Sequence, residues 1–498
     1  MACQLKHTGE KVPRKIFETL LLGPQLQALF RSPEGSTARQ YRDQKTQDIL
    51  ASLVGIDSDD RIYDDIFCGE DYLKLLNAPV NLKADDTVFM MSFDGAQLYQ
   101  NKQSDMWIWI FVILDVHPNL HYKNKRILVG GTIPGPKKPK NIDSFLFCTF
   151  HHIRALQCEN NGAGLKVWDA NKNKITTTRP IPIIFNADTV GLPDLDGRVG
   201  HHGARSCRLG CNMKGRHKPG SGIYYSAHLC PHNYAVDGCT HPDILPEEIT
   251  STTAEQYNSD LTKVILAGNH EEYIKVRKET GISKPSILLG LDPSQMLQIP
   301  YCFTVDLMHL FLNLATLFLA LWRGTIDCAH ETDDKSSWDW RVLIKDIWKE
   351  HGQAVADATP YFPSSFHRPP RNPAEKISSG YKTQEFYLYL FGLGPAVFRN
   401  ILPEKYYQNF CCIVRAVRPL MQRTITGKQW TDGYEHMLQF LPEFEQLYYQ
   451  RRPDRLHFCQ PVIHTCVHAY LEVLRLGPGP YYTQYTLERI IGDIGKEV

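Results

Sequence analysis

Residues 87–95 read TVFMMSFDG, and residues 106–114 read MWIWIFVIL. Both are short runs of β-branched, aromatic and other large apolar side chains. Runs of this kind, with no polar alternation, predict strands covered on both faces. The first run ends at Asp94-Gly95, a strand followed by a turn. A third strand is expected at Arg126–Gly130, closed by Gly130-Gly131 and the Pro-Gly-Pro at 134–136. Asn141 and Ser144 are caps for a helix running to about Cys158. After a polar loop with Asn160, Asn161, Gly162 and Gly164, the run IPIIF at 181–185 predicts a fourth strand, leading into Asn186-Ala187-Asp188.

The order is strand, strand, strand, helix, strand. Three strands in a meander, with a helix returning the chain, place the fourth strand parallel beside the first. Asp94 and Asp188 then emerge at the same end of neighbouring strands, where a rigid sheet holds side chains well. Two such carboxylates, joined by a third acid from a later helix, suit two hard divalent cations, Mg²⁺ or Mn²⁺. Such a pair serves phosphoryl chemistry. The plainer alternative is a turn aspartate and a capping aspartate.

Around this core, residues 1–84 predict a helical lead-in, with Phe17–Phe30 at helical spacing and a polar-faced helix at Gln40–Leu53. Residues 85–194 form the α/β core. Residues 195–245 are rich in Gly, His and Cys. Residues 246–480 read as mainly helical, and 481–498 as a final helix. Leu307–Trp322 is the most apolar stretch. His309 and Asn313 interrupt it and it falls short of a membrane span, so it is expected as a buried helix.

The 498 residues suit two to four domains. With 43% hydrophobic and 22% charged residues, the composition is that of a globular protein. Lys+Arg number 55 against 54 Asp+Glu, which excludes a uniformly basic coat but leaves local basic patches. These are Lys137/Lys138/Lys140, Arg368/Arg371, and Arg451/Arg452/Arg455 with Tyr448, Tyr449 and His457 interleaved. The start carries no apolar signal segment, so the fourteen cysteines are expected as free thiols or metal ligands. The chain has no P-loop, no G-x-S-x-G and no H-E-x-x-H.

Three further sets of residues carry candidate chemistry. Cys207-x-x-x-Cys211 has metal-ligand spacing, and Cys230 with His232 is the expected completion of a zinc site, with Cys239 and His241 nearby. Asp306 and His309 stand one helical turn apart, so the carboxylate can orient the imidazole. Glu488 in TLERIIGDIGKEV and Glu472 in HAYLEVLRLGP are candidates for the third acid, each also readable as an ordinary helix glutamate.

Taken together, the motifs resemble those of the CACTA (En/Spm-like) DNA transposases in their fungal form. The landmarks are SFDGAQLY (92–99), GGTIPGPKKPKNIDSFL (130–146), FNADTVGLPDL (185–195), VDLMHLF (305–311), PSSFHRPPRNPAEKISSGYKTQEF (363–386) and LERIIGDIGKEV (487–498). Each is weak alone; their order over most of the chain carries the resemblance. It implies an RNase H-like nuclease core with a DDE triad of Asp94, Asp188 and Glu488, with Glu472 in reserve. Asp306 and His309 match the family's D-x-x-H. Further implications are a two-metal Mg²⁺ or Mn²⁺ site, double-stranded DNA as substrate, self-association, a nuclear location and no membrane partner. The chain stops ten residues after Glu488, where the family usually continues. The alternative expectation is therefore a shortened, inactive, transposase-derived binding or scaffold protein.

Overall fold

The computed structural model describes residues 3–5, 11–13, 17–97, 105–135, 139–366 and 368–497. Lys137 and Lys138 of the first basic cluster lie outside the described residues. The fold is mixed α/β, with 51% helix against 12% strand, so a small sheet is held within a largely helical body.

Five strands form the main sheet: β1 (Glu18–Thr19), β2 (Thr87–Gln97), β3 (Asp105–Ile113), β4 (Ile127–Pro134) and β7 (Pro180–Ala187). Their spatial order is β7-β2-β3-β4-β1. The meander β2-β3-β4 is antiparallel, and β7 lies parallel to β2. The arrangement matches the order expected from the two apolar runs. Val88, Phe89, Met91, Ile108, Phe111 and Ile184 are all fully buried, as strands covered on both faces require.

Helix α3 (Asp143–Gly162) makes the return. Asn141 accepts the Asp143 N–H at 3.1 Å at its start. Asn160 and Asn161 turn left-handed, with φ of 50° and 55°, and end the regular helix where sequence places its end.

Four details differ from the sequence reading. The first strand does not turn at Asp94-Gly95 but runs on to Gln97, because its pairing with β3 continues to Asp105. The third strand continues through Gly130-Gly131 to Pro134, because the ring of Trp109 lies over both glycines. A Cβ at Gly130 would come within 2.2 Å of that ring. Trp109 Nε1 also donates to Thr149 on α3 at 3.1 Å, tying the helix to the sheet. A hairpin of β5 (Leu165–Asp169) and β6 (Lys174–Thr178) precedes β7, and its in-out alternation, with Leu165 and Val167 buried, is a clear strand signal that the polar flanks conceal. Helix α1 (Leu22–Arg31) begins later than the apolar spacing suggests, because Glu18–Thr19 pairs with β4.

Helix α2 (Gln40–Ser52) lies as expected. Helix α5 (Leu307–Arg323) is the core helix anticipated from its composition. Leu314, Phe318, Leu321 and Trp322 are fully buried, and Gly324 ends it in the left-handed region. Asp306 caps it, and His309, Asn313 and Thr316 share its less buried face. Among the described residues no helix is long and apolar enough to cross a membrane. Trp322 packs on Phe398 and on Phe410 of α6 (Glu404–Leu420), beside α7 (Gly427–Phe444).

The last two helices, α8 (Pro461–Leu476) and α9 (Tyr485–Glu497), complete the surroundings of the sheet end. The link between them is pinned to the core. Asn186 donates to the Tyr482 carbonyl, Tyr122 to the Tyr481 carbonyl, and Arg489 to the Tyr122 carbonyl at 3.1 Å.

Candidate functional site

Strand register brings the two aspartates together. Ala187 pairs with Phe93, so the next residues along these parallel strands, Asp188 and Asp94, stand side by side. Asp94 is 9% exposed and accepts the Gly95 N–H at 2.7 Å. Asp188 accepts the N–H groups of Val190 at 3.1 Å and Gly191 at 2.5 Å, which fixes its carboxylate at the turn.

Helix α9 supplies the third acid. Gln484, just before it, donates its side-chain amide to the Phe93 carbonyl at 3.4 Å, so the helix starts against β2. Glu488 follows one turn later, on an exposed position. The Asp94 carboxyl is pushed up to about 7 by burial and by the charges of Asp188 and Glu488. The Gly95 N–H and His309 oppose this rise. Asp188 and Glu488 thus both act on Asp94, three residues before the end of β2.

Asp306 organises the opposite side. One oxygen accepts from Thr483 Oγ1 at 2.9 Å and the Gln484 N–H at 2.8 Å. The other accepts the His309 N–H at 3.0 Å and its Nδ1 at 2.6 Å. A single carboxylate therefore caps α5, fastens the start of α9 and orients His309. Burial disfavours the His309 imidazolium, but the hydrogen bond and charge of Asp306, with the charges of Asp188 and Asp94, outweigh it and push the ring up to about 9. Burial likewise opposes ionisation of Asp306, and its bonds to His309 and the Gln484 N–H hold it below the usual carboxylate range. His309 is therefore a cation at neutral pH, facing the two aspartates. Carboxylates with an adjacent imidazolium fit a hard divalent cation and the phosphate it would accompany.

Glu472 lies elsewhere. It is fully buried on α8, and both its oxygens accept the Val305 N–H, at 2.7 and 2.9 Å. Burial pushes it up to about 7, opposed by Arg475, the Val305 N–H and Arg208. It is absent from the charges that act most strongly on Asp94, and its visible work is to hold the residue before Asp306.

A second constellation joins Cys207 and Cys211 to His464 and His468, with all four ligand atoms within 4.8 Å of one another. Cys207 Sγ is 3.3 Å from His468 Nε2, Cys211 Sγ is 3.2 Å from His464 Nε2, and the two Nε2 atoms are 3.1 Å apart. Zinc–ligand bonds of ~2.0–2.3 Å in a tetrahedron separate ligands by roughly 3.3–3.8 Å, so the four atoms need to move apart little to receive a metal. The histidines are one turn apart on α8, which puts both rings on one face. The Cys207 thiol is drawn well below its usual range by the Cys211 hydrogen bond, against burial and with help from His468. Burial and Cys207 push Cys211 up. His464 Nδ1 lies 3.3 Å from His228 Nε2. Burial and the neighbouring His464 hold His228 neutral, down to about 3, so it can accept the outer hydrogen bond that orients a ligating imidazole.

The structure does not group the expected Cys230 and His232 with Cys207 and Cys211. The Cys230 backbone is tied to Asp243 and Arg451, and His232 is exposed, with its N–H on the Arg451 carbonyl. The completing histidines lie 261 and 253 residues from their cysteine partners. The signal for them is H-x-x-x-H inside an apolar helix, HTCVH at 464–468.

The basic clusters are mostly occupied. Arg451 pairs with Asp243, Arg452 with Asp454 and Arg455 with buried Asp333. Tyr448 and Tyr449 are fully buried, Arg371 is bound to Glu385, and Lys140 is exposed. No protein-family model matches the chain, and no curated protein matches it.

Proposed function

We propose that this protein is a metal-dependent DNA transposase-type nuclease of the RNase H-like, DDE class, resembling the CACTA elements. The observation that carries the reading is the parallel register that sets Asp188 beside Asp94, with the charge of Glu488 reaching the same carboxyl. Asp94, Asp188 and Glu488 are the acids that would hold two Mg²⁺ or Mn²⁺ ions. When bound, such ions activate water for strand cleavage and stabilise the leaving 3′-oxygen. The chain's own residues supply the frame: Asp306 locks His309 as an imidazolium that can meet a phosphate oxygen, and Gln484 joins the third acid's helix to the first acid's strand.

The Cys207/Cys211/His464/His468 set is the proposed structural zinc site, fastening the Cys/His-rich segment to α8. DNA as substrate, self-association and a nuclear location belong to the same proposal.

The test is Mn²⁺-dependent nicking of DNA that carries the flanking repeat ends, by the full chain and by Asp94→Ala and Asp188→Ala. Each variant is expected to lose at least about a hundredfold of the activity, the scale seen when a group that stabilises transition-state charge is removed. Unchanged metal-dependent nicking in either variant would refute the assignment. DNA binding without nicking by the parent chain would favour the binding or scaffold reading instead.

A further inference from the structure

A cavity of about 550 Å³ opens between the Cys/His-rich segment and the start of helix α4 (Ala254–Ile265). Arg198 lines it and is only 5% exposed. The nearest acid along the chain, Asp196, accepts the Arg198 backbone N–H at 2.7 Å. The Arg198 guanidinium itself donates no hydrogen bond among the described residues, and its Nε is buried. The charge of Arg198 also acts on the buried Asp196 carboxyl, so its desolvation is offset in part, but the hydrogen-bonding capacity of the guanidinium is left unfilled.

The protein nevertheless builds a seat for it. The guanidinium lies over the Tyr257 ring, 5.6 Å from its centroid. It also packs on Gly210, whose φ of +62° favours glycine and where a Cβ would fall 2.2 Å from Arg198 Nη2. A planar fork held in this way is preorganised for an oxyanion.

The rest of the cavity agrees in chemistry. Arg205 lines it, half-buried, with Ser251 and Thr252 on the loop that leads into α4. The twelve-residue α4 begins there with Thr253 as its cap, and the Glu255 carboxylate in its first turn already accepts from that end, so the arginines and hydroxyls are what remain for a ligand. Lys263 is present but paired with Asp260 at 2.6 Å, and Glu279 is the remaining acid of the lining.

We propose that this cavity binds a phosphate group, gripped by Arg198 with Arg205 and the Ser251 and Thr252 hydroxyls. The group is either a backbone phosphate of a nucleic acid or free inorganic phosphate. The site is separate from the acids of the proposed nuclease centre.

The experiment compares the full chain with Arg198→Gln and Arg205→Gln, using two probes: a short DNA duplex of arbitrary sequence over a series of salt concentrations, and inorganic phosphate. A backbone-phosphate site is expected to give duplex binding about five- to tenfold weaker in Arg198→Gln, whatever the sequence. The slope of log affinity against log salt would become shallower by about 1. A free-phosphate site is expected to lose phosphate binding in Arg198→Gln with duplex binding unchanged. Arg205→Gln, at a half-buried position, carries the same test should Arg198→Gln fail to fold. Both variants binding both probes like the parent chain would overturn the proposal. So would binding losses that track loss of metal from the adjacent Cys211 cluster, measured in the same samples. Both probes are measured without Mg²⁺ or Mn²⁺, where no cleavage is read, so failure of the nuclease reading and failure of this one remain distinct.

Discussion

The acid site and the Cys/His cluster are assembled by opposite routes. Asp94 and Asp188 come from neighbouring parallel strands, and one register places both. Cys207 and Cys211 come from a segment with little regular structure, and their partners come from a helix more than 250 residues later. The acids repel one another, so their gathering costs stability. The Cys/His set is largely buried and hydrogen-bonded, so on the proposed reading its gathering would stabilise the fold through a bound metal. On the proposed reading, the contrast is one between a site kept for chemistry and a site kept for architecture.

The largest expected effect breaks the architectural side. Cys211→Ser or His468→Ala should lose bound zinc, measured by metal analysis of the purified full chain. Structural zinc in small peptides is worth roughly 10–16 kcal/mol of apparent binding energy. Even a fraction of that should appear as a large drop in thermal midpoint, and a chelator should act likewise on the parent chain. Unchanged stability and metal content would remove the cluster from the architecture. Asp188→Asn should leave the zinc in place.

What was legible in the sequence follows the same division. Strand runs such as TVFMMSF and IPIIF carry their burial in their composition, and each is followed within three residues by a candidate aspartate. The order of elements then fixed the parallel pair. The hairpin at 165–178 was hidden because its outer face carries Lys166 and Trp168 beside buried Leu165 and Val167. The extension of β4 was hidden because two adjacent glycines usually end a strand, and only the Trp109 ring explains why they do not here. Cys207 and Cys211 were visible by spacing, but the choice among many later Cys and His residues depends on how α8 docks. No local pattern reports that docking. Cys230 and His232 were near in sequence, and proximity was the wrong guide. Glu488 and Glu472 looked alike as helix glutamates; the difference is that α9 starts against β2 through Gln484, while Glu472 is spent on the Val305 N–H.

A smaller effect sharpens the acid side. In metal-free protein, His309 is raised from an ordinary value near 6.5 to about 9. A group raised on folding contributes stability that is fully present below its unfolded pKa and lost as pH rises through the folded one. The expected loss between pH ~6.5 and ~9 is about 3 kcal/mol at most, at 1.36 kcal/mol per pKa unit. Asp306→Asn should abolish most of this pH dependence, because the amide keeps the shape but not the charge. Chemical denaturation of the two proteins at several pH values measures it. A pH-independent difference between them would mean that Asp306 acts only as a helix cap.

The smallest expected effect discriminates the two ways of completing the metal site. Cys230→Ser and His232→Ala alter residues whose backbones are held by Asp243 and Arg451 and whose side chains lie outside the cluster. The His232 side chain is exposed, so its replacement should shift stability by no more than about 0.5 kcal/mol, the range of ordinary surface changes. Both variants should retain zinc at the parent's stoichiometry. A loss of zinc from either, with His468→Ala retaining it, would restore the completion by neighbours in sequence and detach α8 from the cluster.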